Sequence, residues 1–275
     1  MFIEIWKKIK PYLPKKAIYI IQFFHRKYIK MYVWYVGLHD HRYIEHNGLN
    51  RLPSASLRYR VHGSPDVDTF FLFGKICSQD IETTLSKINR SVDSYQHVLD
   101  FGCGCGRTLM WFEDKSKSTH FYGTDIDSDA ISWCKNNLDF ATFNVNKALP
   151  PLEYPSDFFD LIYAISVFTH LNEDNQFHWL RELDRIIKPG GILILTLHGR
   201  YYWEKNLDIN NVAKMENEGF VFITDNTFNG IFPEWYQTAY HNEKYVLENY
   251  AQFFEILDYN PRITGQDIVT LQKPN

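Results

Sequence analysis

The chain has 275 residues, enough for one large domain or one domain with an appendage, and 45% hydrophobic residues, enough for a packed core. Its formal net charge of −4 hides a division: residues 1–42 carry nine Lys/Arg against Glu4 and Asp40, a net of +7, leaving −11 for the rest. An acidic body repels phosphates and argues against nucleic acid as a partner, whereas a basic arm suits something anionic.

Residues 1–50 read as a basic, aromatic helical extension and residues 51–275 as the main domain. The apolar runs at 17–24 and 31–36 are interrupted by His25, Arg26, Lys27 and Lys30, so neither approaches the roughly 20 residues needed to span a bilayer. Two readings stand for residues 1–42: peripheral contact with an anionic membrane, or a helical lid whose lysines are only solvated. Base rates for basic amphipathic segments favour the lid. Further on, Arg58 and Arg60 are candidates to grip a phosphate or carboxylate, since arginine pairs with both in bidentate fashion; an ion pair within the protein explains them equally well.

From residue 96 strand-like and helix-like segments alternate. Apolar runs at 96–101, 119–125, 158–165 and 192–197 predict strands, and 107–115, 128–138 and 175–188 predict helices, the second capped by Asp127 or Ser128. Pro189-Gly190-Gly191 is expected to break the chain before the strand at 192. A helix over 243–251 and strands over 253–259 and 267–271 close the sequence, after an aromatic-rich insertion at 199–241. The alternation implies an α/β fold with a doubly wound, mostly parallel sheet.

In such sheets the ligand binds at the carboxyl ends of the strands, where the strand order reverses. The run Asp100-Phe101-Gly102-Cys103-Gly104-Cys105-Gly106 places three glycines at alternate positions just after the first strand. Glycine there permits a sharp turn and close approach of a ligand to the main chain. Cys103 and Cys105 are too close for an ordinary disulfide. Without a second Cys pair or a spaced His pair, no metal site is expected; reduced thiols and no recognisable leader lead us to expect a cytoplasmic protein. The next strand ends in Gly123-Thr124-Asp125-Ile126-Asp127, which puts the Asp125 carboxylate within reach of both hydroxyls of a ribose. The plainer alternative is that Asp125 only caps the following helix.

These segments, with Phe159-Asp160-Leu161-Ile162-Tyr163-Ala164-Ile165-Ser166 and Ile187-Lys188-Pro189-Gly190-Gly191-Ile192-Leu193-Ile194, resemble in order and spacing the motifs of class I S-adenosylmethionine (SAM) dependent methyltransferases across residues 96–198. The resemblance implies a Rossmann-like seven-stranded sheet with an antiparallel C-terminal strand, and SAM as cofactor. It implies further that Phe101, Gly102, Cys103, Gly104 and Gly106 shape the turn around the methionine part, with Asp100 holding its amino group through water or the loop backbone. Asp125 would hold the ribose, with Ile126 on the adenine. Asn144 or Val145 would meet the adenine edge, where many members carry an acid. Ala164, Ile165 and Ser166 would face the methyl donor.

Ala164-Ile165-Ser166-Val167 lacks the Asp/Asn-Pro-Pro-aromatic motif of enzymes that methylate nucleobase amines, and also lacks the carboxylate of metal-dependent catechol-type enzymes. A metal-independent O-methyltransferase acting on a small molecule is therefore expected. Leu52–Gly63, Tyr240-His241 and Gly265-Gln266-Asp267 resemble segments of bacterial methyltransferases of surface-polysaccharide pathways, which implies a sugar hydroxyl as acceptor. His170 is the candidate general base, weighed against a packing or capping role near Asn172. His241, Trp235 and Tyr236 are candidate acceptor contacts, with Tyr201, Tyr202, Trp203 and Phe232 as further cleft walls, although an insertion building its own core would look the same. Two alternatives stay open: an N-methyltransferase on protein or RNA, and a non-catalytic SAM-binding module within a glycosyltransferase complex.

Overall fold

A computed structural model describes Ile9 and residues 12–47, 51–224 and 237–275. They fall into two compact units, one reaching to Asp66 and the other formed by Val67–Thr224 with Gln237–Asn275.

The first unit contains helices α1 (Lys15–Gly37), α2 (Asp40–Asn47) and α3 (Ala55–His62). α3 starts where the Ser54 hydroxyl accepts from the Leu57 N–H and stops at Gly63, whose φ of 76° only glycine adopts cheaply. Arg58 on α3 is fully buried. Its Nε donates to the Pro65 carbonyl at 2.7 Å, and its two terminal nitrogens form a fork on Asp40 at 2.7 and 3.1 Å. Arg58 thus takes the ion-pair alternative: its guanidinium is spent inside the unit and is not offered to a substrate. Arg60 lies half-buried in the last turn of α3.

The second unit opens with helix α4 (Val67–Ser86) and holds a seven-stranded sheet in the order β3-β2-β1-β4-β5-β9-β8. The strands are β1 (His97–Phe101), β2 (His120–Asp125), β3 (Ala141–Val145), β4 (Phe159–Ala164), β5 (Ile187–Leu197), β8 (Glu255–Asn260) and β9 (Asp267–Gln272). β9 runs antiparallel to both neighbours, and all other pairings are parallel. The expected Rossmann-like fold is the one found. Central strands are apolar on both faces because both are covered. On one side Leu99, Ile162, Leu193 and Leu195 pack on Trp179, Leu180 and Leu183 of helix α6 (Glu173–Ile186). On the other, Val98, Leu161, Ile192 and Ile194 pack with Ile81 and Leu85 of α4 and with Ile131 and Cys134 of helix α5 (Ser128–Asn137).

The local starts follow capping chemistry. Asp127 accepts from the N–H groups of Asp129 and Ala130 to begin α5, and Asn172 accepts from Asn175 to begin α6, two residues earlier than expected. Two expectations are corrected. The segment expected as a helix over 107–115 is instead a 3₁₀ stretch, Leu109–Lys117. Pro189-Gly190-Gly191, expected as a break, lies within β5, where the Gly190 N–H donates to the Lys273 carbonyl at 2.9 Å. The described part of the insertion forms helices α7 (Arg200–Asn206) and α8 (Ile209–Glu218) and a separate pair, β6 (Phe220–Ile223) and β7 (Thr238–His241). Met215, Val221 and Tyr240 give it a small core, flanked by Tyr202 and Trp203. Helix α9 (Glu243–Tyr250) then leads into β8.

Candidate functional site at the strand tips

The strand order reverses between β1 and β4, and the glycine turn leaves β1 at that point. Gly102, Gly104 and Gly106 all take positive φ, at 79°, 54° and 71°. The N–H groups of Gly102 and Cys103 both donate to the Thr124 carbonyl, at 2.8 and 3.0 Å, which stitches the turn to the end of β2. On the β4 side, a Cβ on Gly102 would lie 2.2 Å from Cγ2 of Val167. The turn is therefore held between two neighbouring strands, and only a residue without a side chain fits there.

Two carboxylates flank it. Asp125 Oδ2 accepts from the Gly104 N–H at 2.7 Å, and Oδ1 from the Asp127 N–H at 2.8 Å. A carboxylate has about four acceptor positions; these bonds occupy two and leave the others for donors from a ligand. Burial pushes the Asp125 carboxyl up, and the N–H bonds from Asp127 and Gly104 oppose it. Asp100 is 2% exposed, and its Oδ2 has no hydrogen-bond partner among the described residues. Burial pushes its pKa up to about 8, with Asp125 adding and Tyr163 and Arg107 opposing. A buried carboxylate oxygen without a donor is costly unless something brings one. A hydrogen-bond donor brought by a ligand, an amine among them, would satisfy it.

The other residues expected to line the pocket end neighbouring strands. Asn144 and Val145 are the last two residues of β3, paired with Thr124 and Asp125. The Asn144 amide donates to the Tyr154 hydroxyl at 3.4 Å. Ile126 follows β2 and is half-buried. The Phe101 ring turns into the core against Trp179, with centroids 4.7 Å apart, so Phe101 offers a ligand its backbone and not its ring. Cys103 is likewise buried. Ala164, Ile165 and Ser166 stand where β4 ends, and Ser166 takes φ 62°, uncommon outside glycine. Its N–H donates to Thr196 Oγ1 at 2.7 Å, and its hydroxyl to Gln266 Oε1 at 2.9 Å.

Gln266 leads to a residue not anticipated from the sequence. Its amide nitrogen lies 3.5 Å from Nε2 of His198, just past β5. His198 also lies tilted against Tyr202 and stands edge-on to His170, with centroids 6.4 Å apart. The signal was its position directly after a central strand, where functional residues of such sheets collect. His170 Nδ1 lies 2.6 Å from the Gln237 carbonyl oxygen, which can only accept. The proton therefore sits on Nδ1 and the lone pair on Nε2. Burial lowers the pKa of His170 to about 4 and that of His198 to about 3, so both rings are neutral near pH 7.

His241 does not act as an acceptor contact. It is fully buried, with Nε2 3.0 Å from Gln176 Oε1, which also accepts from the Tyr250 hydroxyl at 2.6 Å. It serves as an internal strut between β7 and α6. Trp235 and Tyr236, with Phe232, lie outside the described residues. Among the described residues no group of three or more His, Cys, Asp or Glu is placed to hold a metal ion.

A methyltransferase domain family matches residues 98–191, from β1 into β5. The phosphoethanolamine N-methyltransferase of Plasmodium falciparum is 26% identical over 219 residues, covering 72% of this chain and 80% of that one. Malonyl-[acyl-carrier protein] O-methyltransferase 2 of Ilyobacter polytropus is 23% identical over 185 residues, covering 65% and 69%. The crystal structure of 1,6-didemethyltoxoflavin-N1-methyltransferase from Burkholderia thailandensis shares the fold, with a TM-score of 0.54 at 15% identity over 80% of this chain and 88% of that one.

Proposed function

Since the chain belongs to the class I SAM-dependent methyltransferases, we propose that its acceptor is a hydroxyl of a small molecule, a sugar or cell-surface polysaccharide precursor. The observation that carries the reading is the row of neutral polar groups at the tips of β4 and β5, Ser166, Gln266, His198 and His170, beside the glycine turn. Uncharged donors and acceptors suit hydroxyls. Peripheral membrane contact through residues 1–42 belongs to the same reading, because a lipid-linked sugar would be met at a membrane surface.

The pocket fits SAM: Asp100 has an unpartnered buried oxygen for its amino group, and Asp125 has acceptor positions left for ribose hydroxyls. When bound, SAM supplies an electrophilic methyl group on its sulfonium. The glycine turn and the two acids fix the position of the donor, and correct orientation alone can contribute roughly 7–11 kcal/mol to lowering the barrier. His170, with its lone pair on Nε2, is the group proposed to take the acceptor's proton. Turnover with labelled SAM and a panel of sugars, sugar nucleotides and primary amines tests the acceptor class. Methylation of amines alone would overturn the hydroxyl assignment and favour the second reading, N-methylation, which the name of the Plasmodium relative supports. No turnover with intact SAM binding would favour a binding module.

Two expected results follow for single residues. His170→Ala should lower kcat by about tenfold or more without changing affinity for S-adenosylhomocysteine; near-normal turnover removes it from the mechanism. Because its pKa is lowered to about 4, the basic form persists down to that pH. In the wild type, kcat at saturating SAM should therefore fall only as pH drops through about 4, with no break near 6.5. For Asp100, the raised pKa means the free protein carries the proton at pH 6.5. An ammonium beside it favours the carboxylate, so binding of S-adenosylhomocysteine should release a proton, seen as a buffer-dependent calorimetric enthalpy. Asp100→Asn should abolish that release and weaken binding by roughly tenfold to a hundredfold. The same variant should lose no thermal stability, since the folded wild type already disfavours the charged form above the ordinary carboxylate pKa, increasingly so up to about pH 8.

A further inference from the structure

We infer that α1 docks on an anionic lipid surface through one particular face, with its axis along the membrane plane. Between Tyr12 and His39 the chain contains no Asp or Glu, and α1 carries Lys15, Lys16, Arg26, Lys27 and Lys30. At 3.6 residues per turn these five cations fall within one sector about 120° wide. The sector beside it holds Ile20, Phe24, Tyr28, Met31 and Tyr35, exposed by 46, 66, 60, 60 and 57%, and contains no charged residue. The third sector faces inward within its own unit, centred on Ile29 at 7% exposure. A helix with an apolar and aromatic stripe bordered by lysines enters the headgroup layer stripe first, its cations meeting lipid phosphates. Soluble surfaces rarely leave so continuous an apolar stripe uncovered without a partner.

The charges decide between occupants. In an antiparallel two-fold pairing of copies through this stripe, the margin bearing Lys16 and Lys27 in one copy would lie along the same margin of the other and bring like charges together. An anionic bilayer satisfies stripe and cations together. α1 has 23 residues, but no described helix is apolar enough to cross a membrane, which leaves the in-plane orientation. Docking of α1 rests on the membrane contact of the proposed function and deepens that reading, and vesicle binding, which requires no acceptor, tests it separately from the acceptor assignment.

Co-sedimentation of the full chain with phosphatidylcholine vesicles, with and without phosphatidylserine, tests this. The wild type should sediment with the serine-containing vesicles only, and less at high salt. Phe24→Glu with Met31→Glu, and separately Lys16→Glu with Lys27→Glu and Lys30→Glu, should each cut partitioning by about tenfold or more. Both variants should keep wild-type affinity for S-adenosylhomocysteine, which shows that they fold. Failure of the wild type to bind either vesicle, equal binding to both, or retention of binding in Phe24→Glu with Met31→Glu overturns the inference. A dimer abolished by that last pair, without vesicle binding, overturns it in favour of a second copy.

Discussion

Asp125→Ala is expected to weaken S-adenosylhomocysteine binding by roughly a hundredfold or more in calorimetry, with turnover falling in parallel at limiting SAM. The carboxylate accepts from the Gly104 and Asp127 N–H groups and has acceptor positions left for a ribose. Hydrogen bonds to a charged group contribute about 1.5–3 kcal/mol each, and two ribose hydroxyls lose theirs together. The Gly104 N–H also loses its acceptor, so the turn loosens as the ligand contact goes. Asp125→Asn keeps the shape while removing the charge and should fall between alanine and wild type. Unchanged affinity in Asp125→Ala would mean that the carboxylate serves only the loop and the following helix.

Gly102→Ala should lower the melting temperature by roughly 5–15 °C and abolish detectable SAM binding. Two costs add. A Cβ at φ 79° places an ordinary residue in the left-handed region, at about 1–2 kcal/mol. The same atom would sit 2.2 Å from Val167 Cγ2, an overpacking that typically costs about 1–3 kcal/mol. For a domain of this size each kcal/mol moves the transition by about 2–4 °C. The two costs separate in a double mutant: Val167→Ala in the Gly102→Ala background should recover the steric part and leave the backbone part. A shift below about 2 °C in the single mutant would show that the turn relaxes freely and does not hold the pocket's shape.

The parts of the molecule legible in the sequence are those governed by neighbours along the chain. The strands at 98–101, 159–164 and 192–197 announce themselves as short apolar runs, because a sheet covered on both faces leaves no polar side. The α5 cap at Asp127 and the glycine turn are equally local. What escaped depends on partners far apart in sequence. Arg58 looked like an anion grip until Asp40 and the Pro65 carbonyl took its nitrogens. His241 looked like a site residue, but Gln176 on α6 holds it in the core. Pro189-Gly190-Gly191 reads as a break in any local window, yet pairing with Lys273 at the far end of the chain draws it into β5. His198 directly follows a central strand, but that position alone does not distinguish it; its significance comes from Gln266 and His170, which the topology brings beside it.

The reversed direction of β9 has a consequence for how such an enzyme diversifies. Asp267, its first residue, pairs with Leu197, the last residue of β5. The connection at 261–266 therefore emerges on the same rim as the ends of the parallel strands and delivers Gln266 there. A strand running the other way would have left that connection on the opposite rim. The fold thus gains an extra loop on this rim that can change in length and chemistry while the half built from β1, β2 and β3, proposed to hold the nucleoside, stays as it is.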